Sequence, residues 1–112
     1  MKKFIFAILL FCGFSVSSFS QQVYSCDYKS DADVKVFVSD YKSDADLVVY
    51  ICKYKSDATN NEGLWYFCDY KSDAGKKIYF CEYKSDADIV IYFSKYKSDA
   101  GWQNKRKCYL FY

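Results

Sequence analysis

Serine, lysine and aspartate recur together in the pentapeptide Tyr-Lys-Ser-Asp-Ala, which starts at Tyr28, Tyr41, Tyr54, Tyr70, Tyr83 and Tyr96. A lysine beside a serine could suggest a Ser-Lys dyad. Neighbouring residues of an extended chain face opposite sides, however, and six equivalent serines indicate a turn hydrogen bond rather than a single nucleophile. The sequence also contains no histidine, the most common general base. We therefore expect no enzymatic activity, no catalytic residue and no cofactor.

Paired aspartates are the second candidate for chemistry. The pairs are Asp31 with Asp33, Asp44 with Asp46, and Asp86 with Asp88. In stacked strands they would form columns of carboxylates, an arrangement with which some β-helices bind Ca²⁺. Thr59, Gly75 and Gly101 replace the second aspartate in the other units, and a lysine accompanies every unit. The sequence therefore favours turn-capping aspartates paired with lysine, with a Ca²⁺ site as the alternative; the exchange of aspartate with glycine predicts positive φ at that position.

Cysteine is the third chemically reactive residue type in the chain. Five cysteines follow residue 20, at Cys26, Cys52, Cys68, Cys81 and Cys108. Four of them share a position in the unit with Ser39 and Ser94, which favours small, buried packing residues. The alternative is that neighbours such as Cys52, Cys68 and Cys81 form disulfides between adjacent strands. An odd number leaves one thiol free or available for an intermolecular disulfide.

The spacing of the pentapeptides predicts the fold. Every interval is 13 residues except the one that holds a polar insertion, residues 59–63, and a fixed period indicates a repeat protein. Each pentapeptide follows an aromatic and β-branched stretch such as residues 49–52, which is typical of a strand. We predict an all-β fold, a short β-solenoid of six 13-residue repeats whose identical residues stack in register. An antiparallel β-meander or a small closed barrel is the alternative.

The first 20 residues have the order of a signal peptide. Lys2 and Lys3 precede an apolar run over residues 4–14 and a serine-rich stretch over residues 15–20. This run is too short for a transmembrane helix. We predict a cleaved signal peptide at 1–20, a single β-repeat domain at 21–112 without a transmembrane segment, and a secreted or periplasmic location. Removing both lysines leaves 14 basic and 14 acidic residues, so we expect no nucleic-acid partner.

The tandem Tyr-Lys-Ser-Asp-Ala-Asp units, each led by Val-Tyr or Ile-Tyr, make residues 23–100 similar to a family of short, mostly bacterial secreted proteins with the same repeats. This resemblance implies a repeat protein and supplies no catalytic or ligand-binding residue.

These observations favour an exported, non-enzymatic structural or protein-interaction module that presents an aromatic face to a protein or a surface glycan. One alternative is a calcium-stabilised cell-surface or periplasmic protein. Another is an enzyme or glycan binder with a site near the 59–63 insertion, at Asn60, Asn61 and Glu62. The tail, residues 108–112 together with Trp102, is predicted to cover the exposed last unit of the repeat stack.

Overall fold

The repeat produces one strand per unit. The structure is a computed structural model that describes residues 21–112, so the predicted signal peptide lies outside the described residues. The strands are β1 (Gln22–Ser25), β2 (Val34–Val38), β3 (Leu47–Ile51), β4 (Leu64–Phe67), β5 (Lys76–Phe80), β6 (Ile89–Phe93) and β7 (Gly101–Trp102). Six single-turn 3-10 helices follow β1 to β6, at Lys29–Asp31, Lys42–Asp44, Lys55–Asp57, Lys71–Asp73, Lys84–Asp86 and Lys97–Asp99; a longer one spans Lys105–Phe111. The all-β prediction is confirmed.

The first six strands close into a parallel barrel. Their order around the wall is β4-β1-β5-β2-β6-β3, and β3 pairs with β4 to complete the ring. The chain therefore makes one lap with β1 to β3 and a second lap with β4 to β6, whose strands lie between those of the first. The chain coils as a solenoid does, but both laps share the wall of one small barrel. The short β7 is antiparallel to β3.

Neighbouring strands are staggered by two residues. Ser25 pairs with Ile78, and Ile78 pairs with Val34. These residues stand three, five and seven positions before the tyrosine of their own units, so equivalent residues follow a diagonal around the barrel. The prediction of in-register columns, with each 13-residue unit as a complete rung, was wrong, because a closed sheet of few strands requires strand tilt and a register shift. One lap takes three units.

The barrel interior is filled by side chains from all six strands of the wall. In β2, β3 and β6 a second residue, Val34, Leu47 or Ile89, is also at most 2% exposed. Strand alternation turns the residue four positions before each pentapeptide tyrosine outward. The residue five positions before each of these tyrosines points inward and is at most 1% exposed; the six are Val23, Val36, Val49, Trp65, Ile78 and Ile91. Five of the six are β-branched, which suits a strand, and full burial of such a side chain stabilises by about 1.5 to 3 kcal/mol.

Each connection between strands crosses a strand of the other lap. The helix Lys29–Asp31 lies against β5, Lys42–Asp44 against β6, and Lys71–Asp73 against β1. Each helix is held by backbone hydrogen bonds, as where the Asp31 N–H donates to the Tyr28 carbonyl over 3.1 Å. The predicted Ser-Asp-Ala turn is thus confirmed. The connections of the first lap cross strands of the second lap, and those of the second cross strands of the first.

The two ends of the barrel differ. At the capped end, where the strands begin, Phe111 of the tail is fully buried, with its ring centroid 5.1 Å from that of Trp65 and 6.2 Å from that of Trp102. The predicted covering role of the tail is confirmed. At the open end, where the strands finish, Phe67, Phe80 and Phe93 are half-buried, with successive centroids 6.4 and 6.5 Å apart.

Candidate functional site

The second aspartate of each pair bonds to the backbone of a neighbouring strand. The Asp33 N–H donates to the Lys77 carbonyl over 2.7 Å, and the Asp33 carboxylate accepts the Lys77 N–H over 3.0 Å. Asp88 makes the same pair of bonds with Lys35, and Asp46 makes it with Val90. The carboxylate therefore satisfies a strand N–H. This hydrogen bond, rather than a special backbone conformation, explains why an aspartate stands at this position of the unit.

The prediction of positive φ at this position was wrong for the aspartates and for Gly75. Among residues 21–112, only Asn60, Gly63 and Gly101 have positive φ, at 60°, 85° and 153°. Gly75 keeps the backbone bond, with its N–H donating to the Gln22 carbonyl over 2.7 Å. It lacks only the side-chain acceptor.

Lysines form ion pairs both with the pentapeptide aspartates and with the second aspartates that follow the alanine. Lys71 lies 3.9 Å from Asp31 and Lys42 lies 3.6 Å from Asp99, between units on adjacent strands. The ion pairs of the second aspartates are Lys77 with Asp33, Lys35 with Asp88, and Lys107 with Asp46. Asp44 and Asp86 lie in exposed 3-10 helices. Within the part of the chain that the structure describes, no three acidic or cysteine residues are grouped as metal ligands would be.

The serines of the pentapeptides lie on the surface. They are Ser30, Ser43, Ser56, Ser72, Ser85 and Ser98, and all are exposed. The turns are held by backbone bonds, and no side-chain cap is present in the six short helices. The predicted serine hydrogen bond was therefore wrong.

All five cysteines of residues 21–112 are free thiols. The stagger explains why adjacent strands do not cross-link: equivalent cysteines such as Cys26 and Cys81 are offset by about 7 Å along the strand and about 4.8 Å across it. A disulfide requires Cα atoms closer than that combined separation. Burial raises the pKa of Cys26, Cys52, Cys68 and Cys81 above 9.0. These four thiols lie at the open end, and the interpretation as packing residues accounts for their position.

The pentapeptide tyrosines form an exposed set that we call the tyrosine belt. Its members are Tyr28, Tyr41, Tyr54, Tyr70, Tyr83 and Tyr96, each 62 to 70% exposed. Four residues before each of them stands an outward-facing aromatic residue that is half-buried: Tyr24, Phe37, Tyr50, Tyr66, Tyr79 and Tyr92. Each unit therefore places two aromatic rings on the outer side of the barrel wall. The predicted aromatic face exists as a repeated feature.

A groove lies at the capped end between the 59–63 insertion and the tail. It encloses about 780 Å³, and its lining includes Asn60, Glu62, Lys97, Trp102, Lys105 and Tyr112. The sequence pointed to the insertion because it interrupts the period. It gave no signal that the tail would form the opposite wall, since that depends on how the chain closes the barrel.

Asn61 fixes the walls of this groove. It is 8% exposed, and its amide donates to the Cys108 carbonyl over 2.8 Å. The Trp102 indole N–H donates to the Asn61 backbone carbonyl over 2.9 Å and lies 3.3 Å from its side-chain oxygen. Gly63 lets the insertion approach β3, because a Cβ there would collide with the Val48 carbonyl. Asn61 therefore links the insertion to both the last strand and the tail.

No helix among the described residues combines the length and apolarity needed to cross a membrane. In comparison with known proteins, the model of the 7(1) septoil knot domain family matches residues 20–103. Neither a curated protein nor a solved structure matches the chain. The family is named for a 7(1) knot, and in this chain the connections of each lap cross the strands of the other. The chain belongs to the septoil knot domain family.

Proposed function

We propose that the protein is an exported, non-enzymatic interaction module in which a rigid knotted barrel presents the tyrosine belt to a protein partner. The observation that carries this proposal is the exposure of the six belt tyrosines. Their backbone carbonyls hold the 3-10 turns, but any residue type supplies a carbonyl. The ring and the hydroxyl are therefore available for contact with another molecule.

Tyrosine suits this role physically. Its ring offers a large contact area at a low cost in side-chain entropy, and its hydroxyl can donate or accept a hydrogen bond. Tyrosine is also enriched among the residues that dominate binding energy at protein interfaces. Six copies at fixed spacing would let one partner engage several sites together, which strengthens binding without new contacts.

Site-specific photocrosslinking in the producing cells tests this proposal. The crosslinker p-benzoylphenylalanine replaces Tyr28, Tyr41 or Tyr83 in separate variants, and replaces Tyr109 in the control. Tyr109 is 67% exposed but belongs to the tail, so it matches the belt in residue type and exposure. We expect a shared adduct of defined mass from the belt positions and none from the control. Adducts of equal yield and mass from Tyr109 would contradict a specific belt surface.

Export is tested separately by the mass of the protein recovered from the medium or the periplasm. We expect a chain that lacks residues 1–18 or 1–20. Recovery of the full-length chain in the cytoplasm alone would contradict export.

A further inference from the structure

The groove at the capped end is separate from the tyrosine belt, and the last repeat unit, the insertion and the tail supply its lining. We infer that it is a binding site for a short acidic sugar, whose ring stacks on Trp102 and whose carboxylate lies between Lys97 and Lys105. This inference does not rest on the proposed function of the belt.

The groove has room for such a ligand. A volume of about 780 Å³ falls within the range of about 300 to 1,000 Å³ typical of small-molecule sites. Gly101 lines it at the position where Asp33, Asp46 and Asp88 stand in other units. A Cβ added to Gly101 would meet no atom within 4 Å. The unit at the groove thus lacks the repeat's carboxylate, and open space takes its place.

The charges that remain in the groove favour an anion. Lys97 and Lys105 are exposed and take part in none of the ion pairs among residues 21–112. Glu62 is the acidic residue in the lining. Two ammonium groups against the Glu62 carboxylate leave the side chains of the lining with a net positive charge, and an ammonium that lacks a protein partner can bind a ligand carboxylate.

The aromatic residues favour a sugar over other anions. Trp102 is half-buried, and its orientation is fixed by the indole hydrogen bonds to Asn61 and by its packing against Phe111. A fixed indole offers a flat apolar face to the C–H groups of a pyranose ring. Asn60 and Glu62 at the rim supply donors and acceptors for hydroxyl groups. An acidic peptide would use the lysines but would not require the fixed ring.

Titration of the processed protein with trigalacturonate, maltotriose and triglutamate tests this inference. Trp102 fluorescence reports occupancy, because the other tryptophan, Trp65, is fully buried in the barrel. We expect saturable binding of trigalacturonate that is at least tenfold tighter than that of either other probe. The binding should also weaken as NaCl is raised, because salt screens exposed charges.

Two double variants locate the site. K97Q/K105Q should weaken trigalacturonate binding by about tenfold or more. K55Q/K84Q is the matched control, since Lys55 and Lys84 occupy the same pentapeptide position as Lys97 but lie outside the groove, and it should bind as the wild type does. Absence of saturable trigalacturonate binding, or equal binding by wild type and K97Q/K105Q, would overturn the inference. Tighter binding of triglutamate would replace it with an acidic-peptide site.

Discussion

The capped and open ends of the barrel close the same six strands in different ways. At the capped end, the single ring of Phe111 is fully buried between Trp65 and Trp102. At the open end, three rings from the strands of the second lap pack against the core together: Phe67, Phe80 and Phe93. All three remain half-buried, and Ile51 beside them is 49% exposed.

This difference follows from repetition. A residue that occurs in every unit is distributed around the barrel, so repeated residues can form a ring but cannot place one side chain at its centre. A central plug requires a residue that occurs once. The insertion and the tail supply such residues, and the groove lies between them.

The largest expected difference between the ends comes from truncating one phenylalanine at each. Phe111→Ala removes a fully buried ring and should lower the free energy of unfolding by about 4 kcal/mol, since the neighbouring rings cannot fill the cavity. Phe93→Ala removes a half-buried ring and should lower the free energy of unfolding by about 2 kcal/mol. Equilibrium urea denaturation of both variants measures the difference. Equal losses would show that the plug contributes no more than a member of the phenylalanine ring.

A smaller difference is expected between two equivalent aspartates, one of which also contacts Asn104 and Lys107 in the segment that leads into the tail. The Asp46 carboxylate accepts the Val90 N–H over 3.0 Å and the Asn104 amide over 3.1 Å, lies 3.4 Å from the Lys107 ammonium, and is 17% exposed. Asp33 makes only the strand bond and a 3.9 Å ion pair, and its side chain is 42% exposed.

Asp46→Ala should therefore lower the free energy of unfolding by about 2 kcal/mol and Asp33→Ala by about 1 kcal/mol. Thermal and urea unfolding of the two variants provide the measurement, with Asp44→Ala as an exposed control that should be nearly neutral. If Asp33→Ala were the more damaging change, the segment that leads into the tail would not be held through Asp46.

The smallest expected effect concerns the four thiols at the open end. Burial raises their pKa above 9.0 in the folded protein. Below about pH 9 both states keep the thiol protons and stability is unaffected. Above it the unfolded chain loses protons first, so the free energy of unfolding should fall as pH rises.

The control replaces the four cysteines with serine, the residue that stands at Ser39 and Ser94 in the other units. Denaturation at pH 7, 9 and 10 in the presence of reductant should show a steeper fall for the wild type than for this variant. Parallel curves would mean that burial of the thiols does not disfavour their ionisation.

Local features of the sequence predicted local structure well. The aromatic and β-branched stretch at residues 49–52 overlaps β3, and each Ser-Asp-Ala segment forms a turn. The insertion indicated one wall of the groove because it breaks the period. The role of the second aspartate was missed because its partner, as for Asp33 and Lys77, lies 44 residues away in the chain. The choice between packing cysteines and disulfides also could not be made locally, since it depends on the register between strands.

The sequence by itself determined an all-β repeat protein, its six turns, and the aromatic rings on its surface. These properties follow from backbone preferences and alternation within a few residues. Only the tertiary structure decided that three units make a lap, that the second lap lies between the strands of the first, and that Phe111 is the residue of the tail that plugs the barrel. Identical units permit many pairings, and closure of the barrel selects one because it pairs both edges of every strand of the wall and buries apolar side chains from each.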